Sequence, residues 1–289
     1  MIDEIFEKFD GAFAENTIRA YRSDFEQYSK WCETKNISPI PATADNLAMY
    51  VDDLSHTCKS ATIRRRVNSL GTIFTMSKNP DPSKDPEVIL ALKRMHRRIG
   101  RHQKQAPPLT RDHLKQLFAN CTSDPRGLRN KVLLQLGYET MRRRSELCAF
   151  EFEDIEATNK SQPHILLRKS KTDQEAIGLK IPISRMLYEL LLAWQRTAGI
   201  TGPILRCVDR HGNVGRALNS GSISTILNHL VLTGSDASNR ISYSGHSFRV
   251  GRAVDLLNEG MPLEKIMLIG GWRSQSACIG YLRSQQSSL

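Results

Sequence analysis

Four polar side chains near the end of the chain carry most of the chemistry legible in this sequence: His246, Arg249, Trp272 and Tyr281. His246 and Arg249 are three residues apart where a helical pattern begins, so they share a face near the positive end of the helix dipole. That is an anion site in outline. An imidazole that moves a proton, a guanidinium that holds two phosphate oxygens, an indole donor and a phenol together suit attack on a phosphodiester. Periodicity alone is better met by a helical bundle with a capping histidine, a surface arginine and a core tyrosine.

Three short helices must position these groups. The first opens after Gly245, carries Val250, Ala253 and Leu257 on one face, and stops at Asn258, Glu259 and Gly260. Pro262 starts the second, with Leu263, Ile266 and Met267 as its apolar side, and Gly270 and Gly271 break it. The third follows Trp272 and sets Cys278, Tyr281 and Leu282 at helical spacing.

The string GHSFRVGRA, then GGW, then a tyrosine nine residues after the tryptophan resembles the C-terminal signature of the tyrosine recombinases, the phage integrase family, and within it the Cre type most. The resemblance implies that His246, Arg249 and Trp272 are catalytic and that Tyr281 is the nucleophile. It also selects residues upstream. Thr140 to Leu147, TMRRRSEL, resembles the family's T-G-L-R-x-S-E-L pattern, with Met141 in place of glycine and Arg142 in place of an apolar residue. The alignment picks Arg143 as the first catalytic arginine, with Arg142 and Arg144 one step away. It also gives Glu146 the task of orienting Arg143 or His246. The segment HILLRKSKTDQEAIGLKIPIS reads as a β-hairpin, with Ile165, Leu166 and Leu167 on one side of a polar turn and Leu179 and Ile181 on the other. In the family a hairpin lysine acts as an acid, and the string SKT selects Lys171 for that role, with Lys169 the neighbouring choice.

The first hundred residues read as a small helical bundle. Apolar positions recur at three and four in Ile18, Tyr21, Phe25, Tyr28 and Cys32, in Leu47, Tyr50, Val51 and Leu54, in Ile63, Val67, Leu70 and Phe74, and in Val88, Leu92, Met95 and Ile99. Prolines punctuate the loops between them. The third helix carries Arg64, Arg65 and Arg66, and the fourth carries Lys93, Arg94, Arg97 and Arg98, running on to Arg101 and Lys104. Either run alone fits a solvated face; two of one sign in one small domain favour contacts with phosphate backbone. The polar, basic stretch 100–108 closes with two prolines and reads as an interdomain linker. Two domains are therefore expected, 1–104 and 109–289.

Beyond the linker, Thr110 caps a helix containing Leu114, Leu117 and Phe118. A longer apolar helix runs from Leu128 through Leu136 and ends near Gly137. Met186, Leu187, Leu190, Leu191 and Trp194 mark a core helix capped by Ser184, and Ile223, Ile226, Leu227 and Leu230 another. Cys207 to Arg216, with the turn HGNVG, suggests an irregular connection. The expected fold is mainly α: an N-terminal helical core-binding (SAM-like) bundle, then an α-rich catalytic domain with a small antiparallel sheet.

A chain of 289 residues with 39% hydrophobic content can bury a sizeable core, and no apolar run is long enough to span a bilayer. Its N-terminus lacks a basic segment followed by an apolar one, so a cytoplasmic protein is expected. The six cysteines are scattered without metal-ligand spacing, which suggests neither a zinc site nor a disulfide framework. A net charge of +11 favours a polyanionic partner. The resemblance implies site-specific recombination of double-stranded DNA with inverted half-sites. It further implies a 3′-phosphotyrosyl intermediate, a Holliday junction and a homotetramer assembled on two sites, with no metal, ATP or other cofactor. Two other functions fit many of the same residues: topoisomerase IB-like relaxation, and regulation by DNA binding without catalysis.

Overall fold

The computed structural model describes residues 2–102, 105–157, 162–169, 178–234, 241–276 and 278–280. The chain divides into two compact units, Met1–Lys104 and Gln105–Leu289.

The first unit is helical. It contains α1 (Ile2–Lys8), α2 (Glu15–Thr34), α3 (Ala44–Leu54), α4 (Ser60–Met76) and α5 (Pro86–Ile99), with a 3-10 turn at Pro82–Lys84. The boundaries follow local chemistry. Thr43 accepts the amide of Asn46 at the head of α3, and Asp85 accepts that of Glu87 at the head of α5, where Pro86 needs no partner for its nitrogen. Tyr28, Cys32, Leu47, Val51, Ile63, Leu70, Phe74 and Val88 form the fully buried centre of this unit. Two details depart from the periodicity. Helix α1 precedes the expected first helix and buries Ile5 and Phe6; Phe9, just after it, is buried too, and its ring meets those of Phe6, Phe13 and Tyr21 edge-on. Ile99, expected on the apolar face of α5, is exposed in its last turn.

The second unit contains α6 (Arg111–Ala119), α7 (Pro125–Thr140), α8 (Arg144–Ala149), α9 (Arg185–Ala198), α10 (Ser222–Leu232), α11 (Gly245–Asn258) and α12 (Leu263–Gly270). Strands β1 (Ile155–Glu156), β2 (His164–Leu167) and β3 (Leu179–Pro182) form an antiparallel sheet in that order, with Ile165 opposite Ile181 and Leu167 opposite Leu179. The β-hairpin reading is therefore borne out. Strands β4 (Arg206–Val208) and β5 (Val214–Ala217) form a second hairpin where an irregular connection was expected. Apolar alternation is weak there. What closes the turn is the Asp209 carboxylate, which accepts the amides of His211 and Asn213.

Helix α7 is the central element, buried along most of its length, and it is longer than periodicity suggests. Asp124 and Pro125 supply its start, with Asp124 accepting the Gly127 amide. Gly137 does not end it. A Cβ there would lie 2.7 Å from the Phe248 ring, so this glycine lets α11 pack close against α7. The helix stops instead at Met141, which takes a left-handed conformation at φ 53° with its side chain fully buried. Thr110 sits at the N-cap of α6 as expected, but its hydroxyl bonds His113 Nδ1 at 2.8 Å rather than a backbone amide. Ser184 does cap α9, accepting the Leu187 amide, and it also donates to Glu139 of α7.

This unit has two apolar clusters. The larger gathers α6, α7, α9, α10 and the strands around Leu133, Leu136, Leu187, Trp194 and Phe248. The smaller joins Met141, Ala253, Leu256, Ile266 and Cys278. Helix α11 contributes to both, Phe248 to the first and Ala253 with Leu256 to the second, and Arg249 lies between them in sequence.

Candidate active site and basic face

The start of α11 is built by reciprocal capping. Ser244 accepts the His246 amide through its hydroxyl, and its own amide donates to Ser247 Oγ at 3.0 Å. A Cβ on Gly245 would lie 2.9 Å from the Cβ of Arg144, so glycine here lets the first turn of α8 close onto the first turn of α11. That contact brings Arg143, at the N-cap of α8, towards His246.

Of the three consecutive arginines, the structure gives each a different environment. Arg142 is buried, donating from Nε to the Thr140 carbonyl and from Nη2 to the Ile269 carbonyl at the end of α12. Arg144 is exposed. Arg143 is held at both ends by buried Glu146: its amide donates to one carboxylate oxygen at 2.9 Å and its guanidinium to the other at 2.8 Å. Burial would raise the Glu146 carboxyl, but the Arg143 amide and guanidinium, helped by the Arg142 charge, hold it below the usual carboxylate range.

Arg249 is 1% exposed, an unusual place for a guanidinium. Its Nη2 donates to the Gly270 carbonyl at 2.8 Å, and its charge lies 4.7 Å from the centre of the Trp272 ring. The GGW string now has a physical reading. Gly271 closes α12 at φ 67°, and a Cβ on Gly270 would collide with the indole at 1.9 Å, so only glycine leaves room for Trp272 there. Arg142 and Arg249 thus hold two successive carbonyls, those of Ile269 and Gly270, at the negative end of α12.

His246 is partly buried, and burial pushes its imidazole down to about 4, with the Arg249 and Arg143 charges adding to the effect. It is therefore neutral near pH 7. Two fixed cations beside a neutral imidazole can bind an oxyanion and accept a proton from a group brought up to it. Tyr281 and Lys171 lie outside the described residues, as does Lys104. The residue before Tyr281 is described: the Gly280 carbonyl accepts a hydrogen bond from Gln105 Nε2 at 2.7 Å. Sequence reasoning placed Gln105 in the linker, where nothing in its type or spacing pointed to this anchor.

In the first unit Arg64, Arg65, Lys93, Arg97, Arg98 and Arg101 are exposed, and Arg66 is half-buried. The two basic runs approach each other. His96 of α5 is held below the usual range by burial together with the charges of Arg101 and Arg64. The runs are also less unbalanced than the sequence suggests: Arg94 pairs with Asp52 at 3.4 Å, Arg98 donates to the Asp52 carbonyl at 3.1 Å, and Arg65 and Arg66 face the buried carboxylate of Asp24. Among the described residues no group of three or more His, Cys, Asp or Glu side chains could hold a metal ion, and no helix is long and apolar enough to cross a membrane.

Over nearly its whole length the chain has the fold of solved tyrosine recombinases. A lambda integrase dimer bound to a COC′ core site matches with a TM-score of 0.65 at 16% identity, covering 96% of this chain and 93% of that one. The Tn1549 transposon integrase in complex with transposon right end DNA matches with a TM-score of 0.65 at 15% identity, covering 99% and 98%. Fold and sequence together define a two-domain tyrosine recombinase. The phage integrase family profile matches residues 107–288. An integrase/recombinase xerD homolog of Selenomonas ruminantium is 30% identical over 268 residues, covering 88% of this chain and 77% of the relative. The recombinase cre of Escherichia phage P1 is 25% identical over 296 residues, covering 96% and 86%. The chain belongs to the phage integrase family and is a tyrosine-type site-specific recombinase.

Proposed function

We propose that the chain cuts and rejoins duplex DNA through a covalent bond between Tyr281 and a 3′ phosphate. The observation that carries this reading is the gathering of Arg143, His246 and Arg249 at the abutting starts of α8 and α11, with Trp272 over Arg249. Arg143 and Arg249 hold the non-bridging oxygens of the scissile phosphate and stabilise the charge that builds on them, as a divalent ion would elsewhere. The Tyr281 hydroxyl attacks phosphorus while His246 takes its proton. The bond to the 5′ oxygen breaks, and that oxygen leaves with a proton from Lys171. Glu146 keeps Arg143 in place.

Because the phosphotyrosyl bond keeps the energy of the phosphodiester it replaces, attack by another 5′ hydroxyl restores DNA without ATP. The pairwise exchange of strands through a Holliday junction, by four copies on two sites with inverted half-sites, rests on the family and on one relative. A lambda integrase tetramer bound to a Holliday junction shares the fold with a TM-score of 0.66 at 15% identity, covering 96% of this chain and 75% of that one. Residues 1–104 supply the DNA-binding bundle, with Arg64, Arg65, Lys93, Arg97, Arg98 and Arg101 facing phosphate and Lys104 extending the series. Sequencing the DNA that becomes covalently attached to the chain tests the proposal. Attachment confined to one short inverted sequence supports it, whereas attachment scattered without sequence preference points to relaxation instead.

A further inference from the structure

In the first unit a buried carboxylate holds the α4 part of the basic face. Asp24 of α2 is 1% exposed, and burying a lone carboxylate is costly unless it is paired and hydrogen-bonded. Its Oδ2 accepts from Ser69 Oγ at 2.7 Å and from Nη1 of Arg65, and its Oδ1 lies 3.9 Å from Nε of Arg66. One carboxylate thereby faces two successive arginines of α4 at once. The two end up differently placed: the Arg66 side chain is 17% exposed and the Arg65 side chain 50% exposed.

Arg65 therefore has one nitrogen fixed to a buried anchor and the rest of its planar fork at the surface. It lines a shallow polar depression of about 390 Å³ with Tyr21, Arg64, Asn68, Ser69 and Thr72. A free surface arginine loses rotamer freedom when it binds an anion; one already held by a carboxylate loses less. The ion pair itself leaves four donors on Arg65 that a second acceptor can use.

We propose that Asp24 is a positioning residue for DNA binding: it holds Arg65 as a preorganised donor to a backbone phosphate of duplex DNA lying along the α2 and α4 surface. This rests on the reading of residues 1–104 as the DNA-binding bundle. The proposal makes a prediction of counterintuitive sign. Asp24→Asn removes a negative charge and raises the net charge of the domain by one. If Arg65 acts only as diffuse positive charge, that change tightens binding to a polyanion. If Asp24 positions Arg65, it weakens binding.

The test measures the affinity of the full-length chain for a fluorescent duplex oligonucleotide of arbitrary sequence at fixed salt. The chains compared are the wild type, Asp24→Asn, Arg65→Ala, the double variant of those two, Ser69→Ala and Arg64→Ala, below the unfolding temperature of each. Both single variants are expected to weaken binding on the order of tenfold, and the double variant to bind no worse than Arg65→Ala, because Asp24 acts through Arg65. Ser69→Ala keeps the carboxylate and removes one of its hydrogen bonds; it should weaken binding by roughly two- to threefold, and it carries the test if Asp24→Asn does not fold. If Arg65→Ala weakens binding while Asp24→Asn tightens it or leaves it unchanged, the positioning role is overturned and the DNA-binding reading stands. A lowered melting temperature with unchanged affinity would assign Asp24 to stability alone and also overturn it. Should Arg65→Ala and Arg64→Ala both bind like the wild type, this face is not the DNA surface, and the proposal falls with that reading.

Discussion

The guanidinium of Arg249 is pinned from two sides, by the Gly270 carbonyl at 2.8 Å and by the Trp272 ring at 4.7 Å. The ring can do more than donate a hydrogen bond: it holds the cation in place by attraction to its π face. Such contacts contribute about 0.5–2 kcal/mol, which corresponds to roughly 2- to 30-fold in a rate. Trp272→Phe keeps a ring and should cleave DNA only a few-fold more slowly than wild type, while Trp272→Ala, which loses the whole contact, should slow cleavage by up to about 30-fold. Single-turnover cleavage with each variant measures this. Equal rates for Trp272→Ala and wild type would mean the ring does not hold Arg249 during the reaction.

His246 should titrate near pH 4 in the folded chain and near the ordinary histidine value of about 6.5 when unfolded. Because the folded value is the lower one, the unfolded chain binds the proton first as the pH falls. The group then contributes nothing above about 6.5, becomes progressively destabilising down to about 4, and is constant below that. His246→Gln removes the effect. Urea unfolding of both chains at several pH values should show the variant gaining on the wild type between pH 6.5 and 4, by at most about 1.4 kcal/mol per pH unit. A constant difference across that window would show that His246 is not shielded from water.

Met141 occupies a left-handed position with a fully buried side chain, so two effects oppose each other there. Glycine relieves the backbone and loses the packing against Ala253, Leu256 and Ile266; alanine loses most of the packing and keeps the strain. Both variants should be less stable than wild type, by about 1–3 kcal/mol for Met141→Gly and roughly 1 kcal/mol more for Met141→Ala. Thermal melts check the order, which is the reverse of that expected inside a helix. An alanine variant more stable than the glycine one would contradict the left-handed assignment.

The first unit was largely legible because its helices keep apolar residues at three and four: Phe25, Tyr28 and Cys32 are buried as their spacing requires. The reading failed where one residue type serves two purposes. Gly137 looks like a helix stop and is a packing surface for Phe248, and the turn at Asp209 closes a hairpin through a carboxylate rather than through apolar alternation. At the site, the types and spacing of His246 and Arg249 outlined an anion site, and only the family resemblance selected Arg143. Their protection did not show. Nothing in the sequence distinguishes a buried Arg249 from an exposed one, since burial depends on the Gly270 carbonyl and the Trp272 ring arriving from another helix. Asp24 was equally silent, because its partners Arg65 and Ser69 come from α4, more than a helix away in sequence.

The central claim is that Tyr281 becomes covalently joined to DNA, and peptide mapping of the attached chain tests it most directly. Nicked duplex carrying the target sequence traps the intermediate, because the short fragment bearing the 5′ hydroxyl diffuses away. Tyr243 is the useful comparison: it is buried, and burial pushes its phenol up to about 12, so it is poorly placed to attack. The account predicts a DNA adduct on the peptide containing Tyr281, and its loss in Tyr281→Phe with duplex binding changed less than twofold, since one hydroxyl oxygen is removed and little packing area is lost. An adduct on Tyr243, or an undiminished adduct in Tyr281→Phe, would contradict it.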